Sequence, residues 1–301
     1  MLSVLIPVYN EPVGPLVREL HRQGRQLGIP FEIVCFDDAS DKVFQQKNRV
    51  LNELPSVYYR ELSQNVGRAA IRNLLADAAR YEYLLFLDSD VQPKSADLLK
   101  RYVDGLAPKV VLVGGVVYAE RPPTDPDLLL HYRYGQQRET QSKAQRQQHP
   151  YASFKSANFL ITSDLFQTIR FDERLRDYGH EDTLFGFSLQ LAGIEVRHLN
   201  NPVVHLGLEP ATVFLKKQLT AVQNLYRLNQ FETRVPSRLW TTFQRLHRSG
   251  LHRPVRWVIW PLFSIIKKRL ATKNAPLWLL DIFKLSHLLN LEHHGTDSLS
   301  S

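Results

Sequence analysis

Two aspartates spaced i, i+2, Asp88 and Asp90, end the apolar run Tyr83-Leu84-Leu85-Phe86-Leu87. A run that is short, apolar and flanked by polar residues reads as a buried strand. Carboxylates leaving such a strand stand at the mouth of an α/β sheet, where ligands bind. Neighbouring anions repel unless a cation or a donor compensates them, and a hard divalent cation bridging to phosphate does so. A solvated turn is the competing reading, since Asp and Ser are common turn residues. Comparable positions hold Asp37-Asp38 after Phe31–Phe36, Glu181-Asp182 ahead of a helix, and His205 after Val203-Val204.

The elements around these residues follow a pattern. Strands are expected at Leu2–Val8, Phe31–Phe36, Val57–Leu62 and Tyr83–Leu87. Helices are expected at Pro15–Leu27, from Ser40 or Asp41 to Leu54, and from Arg68 through Ala79. This alternation implies a parallel sheet with helices on its faces. In such a sheet the strand ends carrying Asn10-Glu11, Asp37-Asp38 and Asp88–Asp90 share one edge. Val110–Tyr118 reads as one further strand, with Gly114-Gly115 allowing a close approach. Thr124–Pro150, rich in Gln and Arg, reads as a mobile loop or loosely held helix near the site. Lys155–Ile161 resumes order, short strands follow at Glu195–Leu199 and Val203–Leu206, and a helix runs from Pro210 to about Phe231.

Composition bounds the rest. A chain of 301 residues, 44% hydrophobic and 23% charged, is globular rather than disordered. The single cysteine, Cys35, excludes an internal disulfide framework and reads as a small core residue. No charged n-region precedes the first apolar residues, so no secretory leader is expected. The net charge of +8 is concentrated: Thr233–Leu280 holds ten Lys or Arg and no acid, leaving 28 basic against 30 acidic residues elsewhere. Trp240, Trp257, Trp260 and Trp278 lie among these cations, and the ten-residue apolar run Trp257–Ile266 is too short to span a bilayer. The segment 233–280 therefore suits an anionic membrane surface, the competing reading being a basic helical pair packed on the domain. Its aromatic and aliphatic content favours lipid, so no nucleic-acid partner is expected. The residues from Glu292 onward read as a frayed tail.

Five motifs then occur in order: Pro7-Val8-Tyr9-Asn10-Glu11, Asp37-Asp38-Ala39-Ser40, Asn65-x-Gly67-x-Ala69-x-x-Arg72-Asn73, Asp88-Ser89-Asp90 and Glu181-Asp182. In order and spacing they resemble family 2 glycosyltransferases from about Leu2 to Phe231. The resemblance implies a Rossmann-like GT-A fold with a mostly parallel central sheet, here followed by a basic helical extension. The expected division is 1–232 as the transferase domain, with 1–109 binding nucleotide and 110–232 the acceptor, and 233–301 as the extension.

The same resemblance implies roles, each with a plainer competitor. Asp38 meets the nucleobase, which suits the uracil imide and a UDP-sugar; an N-cap is the alternative. Pro7, Val8 and Glu11 line the nucleotide pocket, or simply form a strand and turn. Asn65, Gly67 and Arg68 offer donors to phosphate at a helix start. Arg72 holds Asp88 or meets the diphosphate, the alternative for both arginines being a solvated helix face. Asp88, Ser89 and Asp90 resemble the metal and ribose site, with Asp90 the direct ligand, Asp88 reaching ribose and metal shell, and His205 a further ligand. Mg²⁺ or Mn²⁺ fits oxygen donors, and imidazole tilts toward Mn²⁺. Asn158 lies near the donor sugar. Asp182 is the general base and Glu181 orients the acceptor; acids favoured by a helix dipole are the alternative.

The Gln-x-x-Arg-Trp motif of processive members has no match, the nearest string being Gln223-Asn224-Leu225-Tyr226-Arg227-Leu228. The expected reaction is addition of one sugar, with inversion, to a saccharide or lipid-linked acceptor. The expected setting is bacterial cell-surface polysaccharide synthesis, in the cytoplasm and peripherally on the inner face of the cell membrane. A catalytically silent nucleotide-sugar binder or scaffold, and a nucleotidyltransferase, are the alternatives.

Overall fold

The computed structural model describes residues 1–175, 178–230, 237–273 and 275–293. The first half alternates as β1 (Leu2–Val8), α1 (Gly14–Gln26), β2 (Phe31–Asp37), α2 (Lys42–Arg49), β3 (Val57–Glu61), α3 (Arg68–Ala78) and β4 (Tyr83–Leu87). Next come β5 (Val91–Pro93), α4 (Leu98–Asp104), β6 (Val110–Val113), β7 (Val116–Tyr118), α5 (Leu129–Tyr134) and α6 (Lys143–Gln148). The chain continues through β8 (Asn158–Thr162), α7 (Ser163–Thr168), α8 (Glu181–Leu191), β9 (Glu195–His198) and β10 (Val203–His205). Helices α9 (Ala211–Gln230), α10 (Arg238–Arg248), α11 (His252–Ile259), α12 (Phe263–Leu270) and α13 (Trp278–His293) complete it.

Contacts divide the chain into two compact units. The first comprises Met1–Ala119, Arg138–Arg176 and Glu181–Gly207. Its seven-stranded sheet has the order β3-β2-β1-β4-β8-β6-β9. β1 pairs in parallel with β2 and β4, and β8 runs antiparallel to β4 and β6. The pleat explains both faces: Val4, Ile6 and Val8 join Leu85 and Leu87 in one apolar layer, while Leu5 joins Leu84 and Phe86 in the other. The second layer is aromatic, with Phe86 stacked on Phe159 at 4.8 Å and Phe171 on Phe185 at 4.4 Å. A small sheet, β5-β10-β7, lies in the same unit.

Two expectations are corrected here. Val110–Tyr118 is not one strand, because the chain breaks at Gly114-Gly115 and sends β6 and β7 into different sheets. A Cβ at Gly114 would meet Asn158 Nδ2 and the Asn201 carbonyl oxygen, both at 2.4 Å, so the strand turns where only glycine fits. Nor is Thr124–Pro150 a loose segment. It carries α5 and α6, and on α6 the buried Arg146 donates to the carbonyls of Val113, Gly114 and Leu199. The anchor is a guanidinium rather than an apolar stripe, so hydropathy does not register it.

The second unit comprises Glu120–Gln137, Asp177–His180 and Leu208–Ser301. Helix α9 buries Phe214 and Leu215 with Leu270, Leu280 and Phe283. A second cluster joins Val222, Phe243, Leu288 and Leu289. Helix α9 thus packs with the C-terminal helices, while the expected boundary at 232 and the helix end at Phe231 lie outside the described residues. The expected frayed tail begins inside α13, which extends to His293; residues 294–301 lie outside the described residues.

Candidate active site

Strand order brings the acidic loops together. β1 lies between β2 and β4, so the carboxyl ends of these three neighbours form one edge. Two side-chain hydrogen bonds stitch the loops after β1 and β2: Asn10 N–H to Ser40 Oγ and Asp41 N–H to Asn10 Oδ1, each 2.8 Å.

The two aspartates after β2 differ in role. Asp37 is fully buried and accepts the Ser40 N–H and the Tyr59 hydroxyl, both at 2.7 Å. Asp38, 4% exposed, accepts Val66 N–H at 2.7 Å and Gly67 N–H at 3.0 Å. Burial raises its pKa against those two amides. The Gly67 amide, expected to face phosphate, therefore donates to Asp38 instead. Gly67 takes φ 89° as the N-cap of α3, a conformation that favours glycine. The exposed Asn65 donates to the Asp38 carbonyl at 3.1 Å. Pro7 is half-buried and Val8 buried within β1, and the Val8 carbonyl accepts Asp38 N–H.

Asp88 and Asp90 also part company. Arg72, 2% exposed on α3, reaches Asp88 Oδ1 at 2.5 Å and donates to the Arg68 carbonyl at 3.0 Å. Buried and paired with Asp88, Arg72 is not part of a solvated helix face. Ser89, half-buried, turns the chain between the acids. Asp90 is positioned by the small sheet: Val91 pairs with His205, and Leu206 N–H bonds the Asp90 carbonyl at 2.8 Å. This register brings Asp90 Oδ2 to 3.4 Å from His205 Nε2. Burial raises the Asp90 carboxyl, but His205 and Arg68 outweigh it and hold it below the ordinary value. Burial lowers the His205 imidazole, but Asp90, Glu139 and Asp88 outweigh it and hold it up. Glu11, half-buried, is raised by burial and then by Asp90, against His205.

Asp182 and Glu181 open α8. Ser156 N–H donates to Asp182 Oδ1 at 3.2 Å. Glu181, 8% exposed, lies 3.7 Å from Arg68, and burial and Asp182 raise its pKa against Arg68 and Arg72. Arg68 therefore feels Glu181 on one side and Asp90 on the other.

Asn158, the expected donor residue, opens β8 opposite Leu87 at the same edge, but its side chain is spent on the protein itself. It is fully buried; its amide donates to the carbonyls of Gly115 and Asn201 at 2.9 Å and accepts the Tyr102 hydroxyl at 2.6 Å. Both its N–H groups are engaged, so it ties β8 to the Gly114-Gly115 break rather than offering donors to a sugar.

Two residues escaped the sequence reading. A Cβ at Gly207 would meet Asp90 Oδ2 at 2.4 Å, so the absence of a side chain there sets the space Asp90 occupies. Tyr118 lies with its ring 5.2 Å from that of His205, and its hydroxyl donates to Glu139. A glycine two residues after a candidate ligand was the available signal for the first; nothing local marks the second.

A divalent cation fits this chemistry. Asp90 Oδ1 is buried without a hydrogen-bond partner, beside an imidazole. Among the described residues no cluster of three or more His, Cys, Asp or Glu is spaced to hold a metal ion alone. A full protein cage is not needed: Mg²⁺ is usually held by one or two carboxylates, with waters and substrate phosphates completing its shell.

The sequence matches the family model described as glycosyl transferase family 2 over residues 3–166. Chondroitin synthase of Escherichia coli is 23% identical over 235 residues, covering 68% of this chain and 34% of that protein. The chain thus spans about a third of the length of this curated relative. A solved structure, the mannosyltransferase PcManGT of Pyrobaculum calidifontis in complex with GDP-Man and Mn²⁺, aligns with a TM-score of 0.53 at 19% identity. That alignment covers 76% of this chain and 64% of the mannosyltransferase, and it shows a shared GT-A fold. S. aureus TarS 1-349 in complex with UDP aligns over 98% of this chain and 92% of its own at 18% identity, with a TM-score of 0.46.

Proposed function

The chain belongs to glycosyl transferase family 2, and from that premise we propose that it moves one sugar from a nucleotide-sugar, a UDP-sugar first, to an acceptor hydroxyl with inversion. One observation carries the reading: Asp90 pairs with His205 while keeping a buried, unpartnered oxygen at the edge where Asp38 and Asp88 also end their strands. A divalent cation held by Asp90 and His205, Mn²⁺ being favoured by the imidazole, would neutralise charge gathering on the departing diphosphate.

The chain's own residues do the rest. Arg72 fixes Asp88 through Oδ1, which leaves Oδ2 for the ribose and the metal shell. Asp38 keeps lone-pair positions beyond those taken by Val66 and Gly67 for the uracil imide N–H. Pro7, Val8 and Glu11 flank the base and ribose. Asp182, held by the Ser156 amide, takes the proton of the acceptor hydroxyl as its oxygen bonds to the anomeric carbon. The bond from that carbon to the diphosphate breaks in the same step, its electron pair leaving with UDP. One displacement with one base inverts the centre. Glu181, beside Arg68, orients the acceptor.

We assign donor binding to residues 1–109 and acceptor binding to 110–232. A saccharide or lipid-linked acceptor of the cell surface fits a transferase whose C-terminal part is basic and aromatic. The test is a donor screen by nucleotide release over UDP-, GDP- and dTDP-sugars, with Mn²⁺ and with chelator. Release of UDP that chelator abolishes and Mn²⁺ restores is the expected result. Indifference to chelator contradicts the Asp90–His205 assignment; binding without turnover indicates a silent binder, and pyrophosphate release a nucleotidyltransferase.

A further inference from the structure

Helices α11 and α12 bury one stripe and leave another bare. On the buried side Val255 and Ile259 pack near Leu288 and Leu289, Phe263 stacks on Phe283 at 4.5 Å, and Ile266 and Leu270 join the core. On the other side α11 leaves Pro254, Trp257 and Val258 exposed, the turn after it Pro261 and Leu262, and α12 Ile265. Trp257 is 74% exposed, Val258 67% and Ile265 63%. Single exposed apolar residues need no explanation, but a contiguous stripe marks an interaction surface.

The charges around the stripe say what covers it. Arg253 and Arg256 flank it within α11, and Lys267, Lys268 and Arg269, all exposed, close α12. The whole sequence from Thr233 to Leu280 holds no Asp or Glu. Arg253 and Arg256, with His252 and His293, also line a cavity of about 200 Å³ with room for a phosphate group. The single acid lining it, Glu292, is paired with His247 at 2.8 Å. A second copy of this surface would bring cations against cations. Nucleic acid would leave the aliphatic stripe without a partner. Among the described residues no helix is long and apolar enough to cross a membrane, so the stripe enters a bilayer from one side only.

We infer that α11 and α12 form an interfacial anchor for an anionic bilayer, with Trp257, Val258, Leu262 and Ile265 inserted among the acyl chains and the flanking cations on lipid phosphates. Tryptophan suits this depth because its ring is apolar and its N–H is polar. Each cation adds attraction that falls with salt. The anchor is independent of the transfer chemistry.

The test is co-sedimentation of the full chain with vesicles of phosphatidylcholine alone or mixed with phosphatidylglycerol. The wild type partitions to the mixed vesicles, weakly to the neutral ones, and salt releases it. Trp257→Ser with Ile265→Ser lowers partition by about 10-fold or more, each exposed apolar side chain carrying part of the insertion energy. Circular dichroism of that variant stays unchanged, because both side chains are mostly exposed. Asp182→Asn binds vesicles like the wild type, so failure of the anchor and failure of the transfer reading separate. Equal binding of the double variant, equal binding to neutral vesicles, or a dimer that the double variant dissolves overturns the inference. Preference for DNA over mixed vesicles overturns it too.

Discussion

Asp90 meets His205 through Oδ2 at 3.4 Å and keeps its buried Oδ1 free of any hydrogen bond among the described residues. A buried carboxylate oxygen without a partner is costly. The register of β5 with β10 supports that geometry, because Val91 lies opposite His205 and so brings the preceding Asp90 beside the imidazole. Gly207 completes the arrangement by carrying no Cβ where Asp90 Oδ2 lies.

Gly207→Ala is therefore expected to displace Asp90 while leaving the cores intact. The Mn²⁺ concentration giving half-maximal turnover should rise about 10- to 100-fold, the range seen when residues supporting metal ligands are altered. Thermal melting of the metal-free protein should move little. Unchanged metal dependence would remove Gly207 from the account.

Arg72→Met tests the ion pair beneath Asp88. Arg72 is 2% exposed, so its loss strands a carboxylate and opens a gap in the Phe171 layer, whose ring lies 5.5 Å from the guanidinium. A loss of about 3 kcal/mol by urea unfolding is expected. Arg72→Met together with Asp88→Leu should lose less than the two single changes added, and strict additivity would contradict a direct pair.

Asn158→Ala separates a structural amide from a donor contact. Removing it leaves the Gly115 and Asn201 carbonyls and the Tyr102 hydroxyl without their partner. A stability loss of about 3 kcal/mol is expected, with the donor KM of the folded fraction unchanged. A raised KM at unchanged stability would restore the sugar-binding role that the motif implies.

His198 sets an acid limb of stability. Its imidazole is fully buried, accepts from Arg146 at Nδ1 and donates to the Pro150 carbonyl; burial lowers its pKa from 6.5 to about 4. Above pH 6.5 neither the folded nor the unfolded imidazole holds the extra proton. Between about 6.5 and 4 only the unfolded one does, so stability falls as pH drops, and below about 4 the loss levels off. His198→Gln should flatten this limb by on the order of 3 kcal/mol in unfolding free energy against pH. An unchanged slope would mean the imidazole titrates normally.

The first ninety residues were legible because each strand there is a short apolar run closed by polar turn residues, and local sequence carries that signal. The acidic edge followed from strand order alone. The later half was harder for physical reasons. β8 inserts antiparallel between β4 and β6, a pairing that no local pattern encodes. Gly114 splits a continuous apolar run because of neighbours distant in sequence, Asn158 and Asn201. Arg146 holds α6 through carbonyls that carry no side-chain signature. The carboxylate types at Asp38 and Asp90, and His205 as a companion of Asp90, could be read from the sequence; the Val66 and Gly67 amides on Asp38 and the bare Gly207 beside Asp90 could not, because they depend on backbone geometry.

The most direct measurement of the central claim is UDP release by Asp182→Asn in the presence of Mn²⁺ and an acceptor, beside the wild type. The substitution keeps shape and the Ser156 amide contact while removing the proton acceptor. The account predicts an unchanged fold and transfer slower by about 10²- to 10⁴-fold, the usual contribution of a general base. Transfer at the wild-type rate would contradict it.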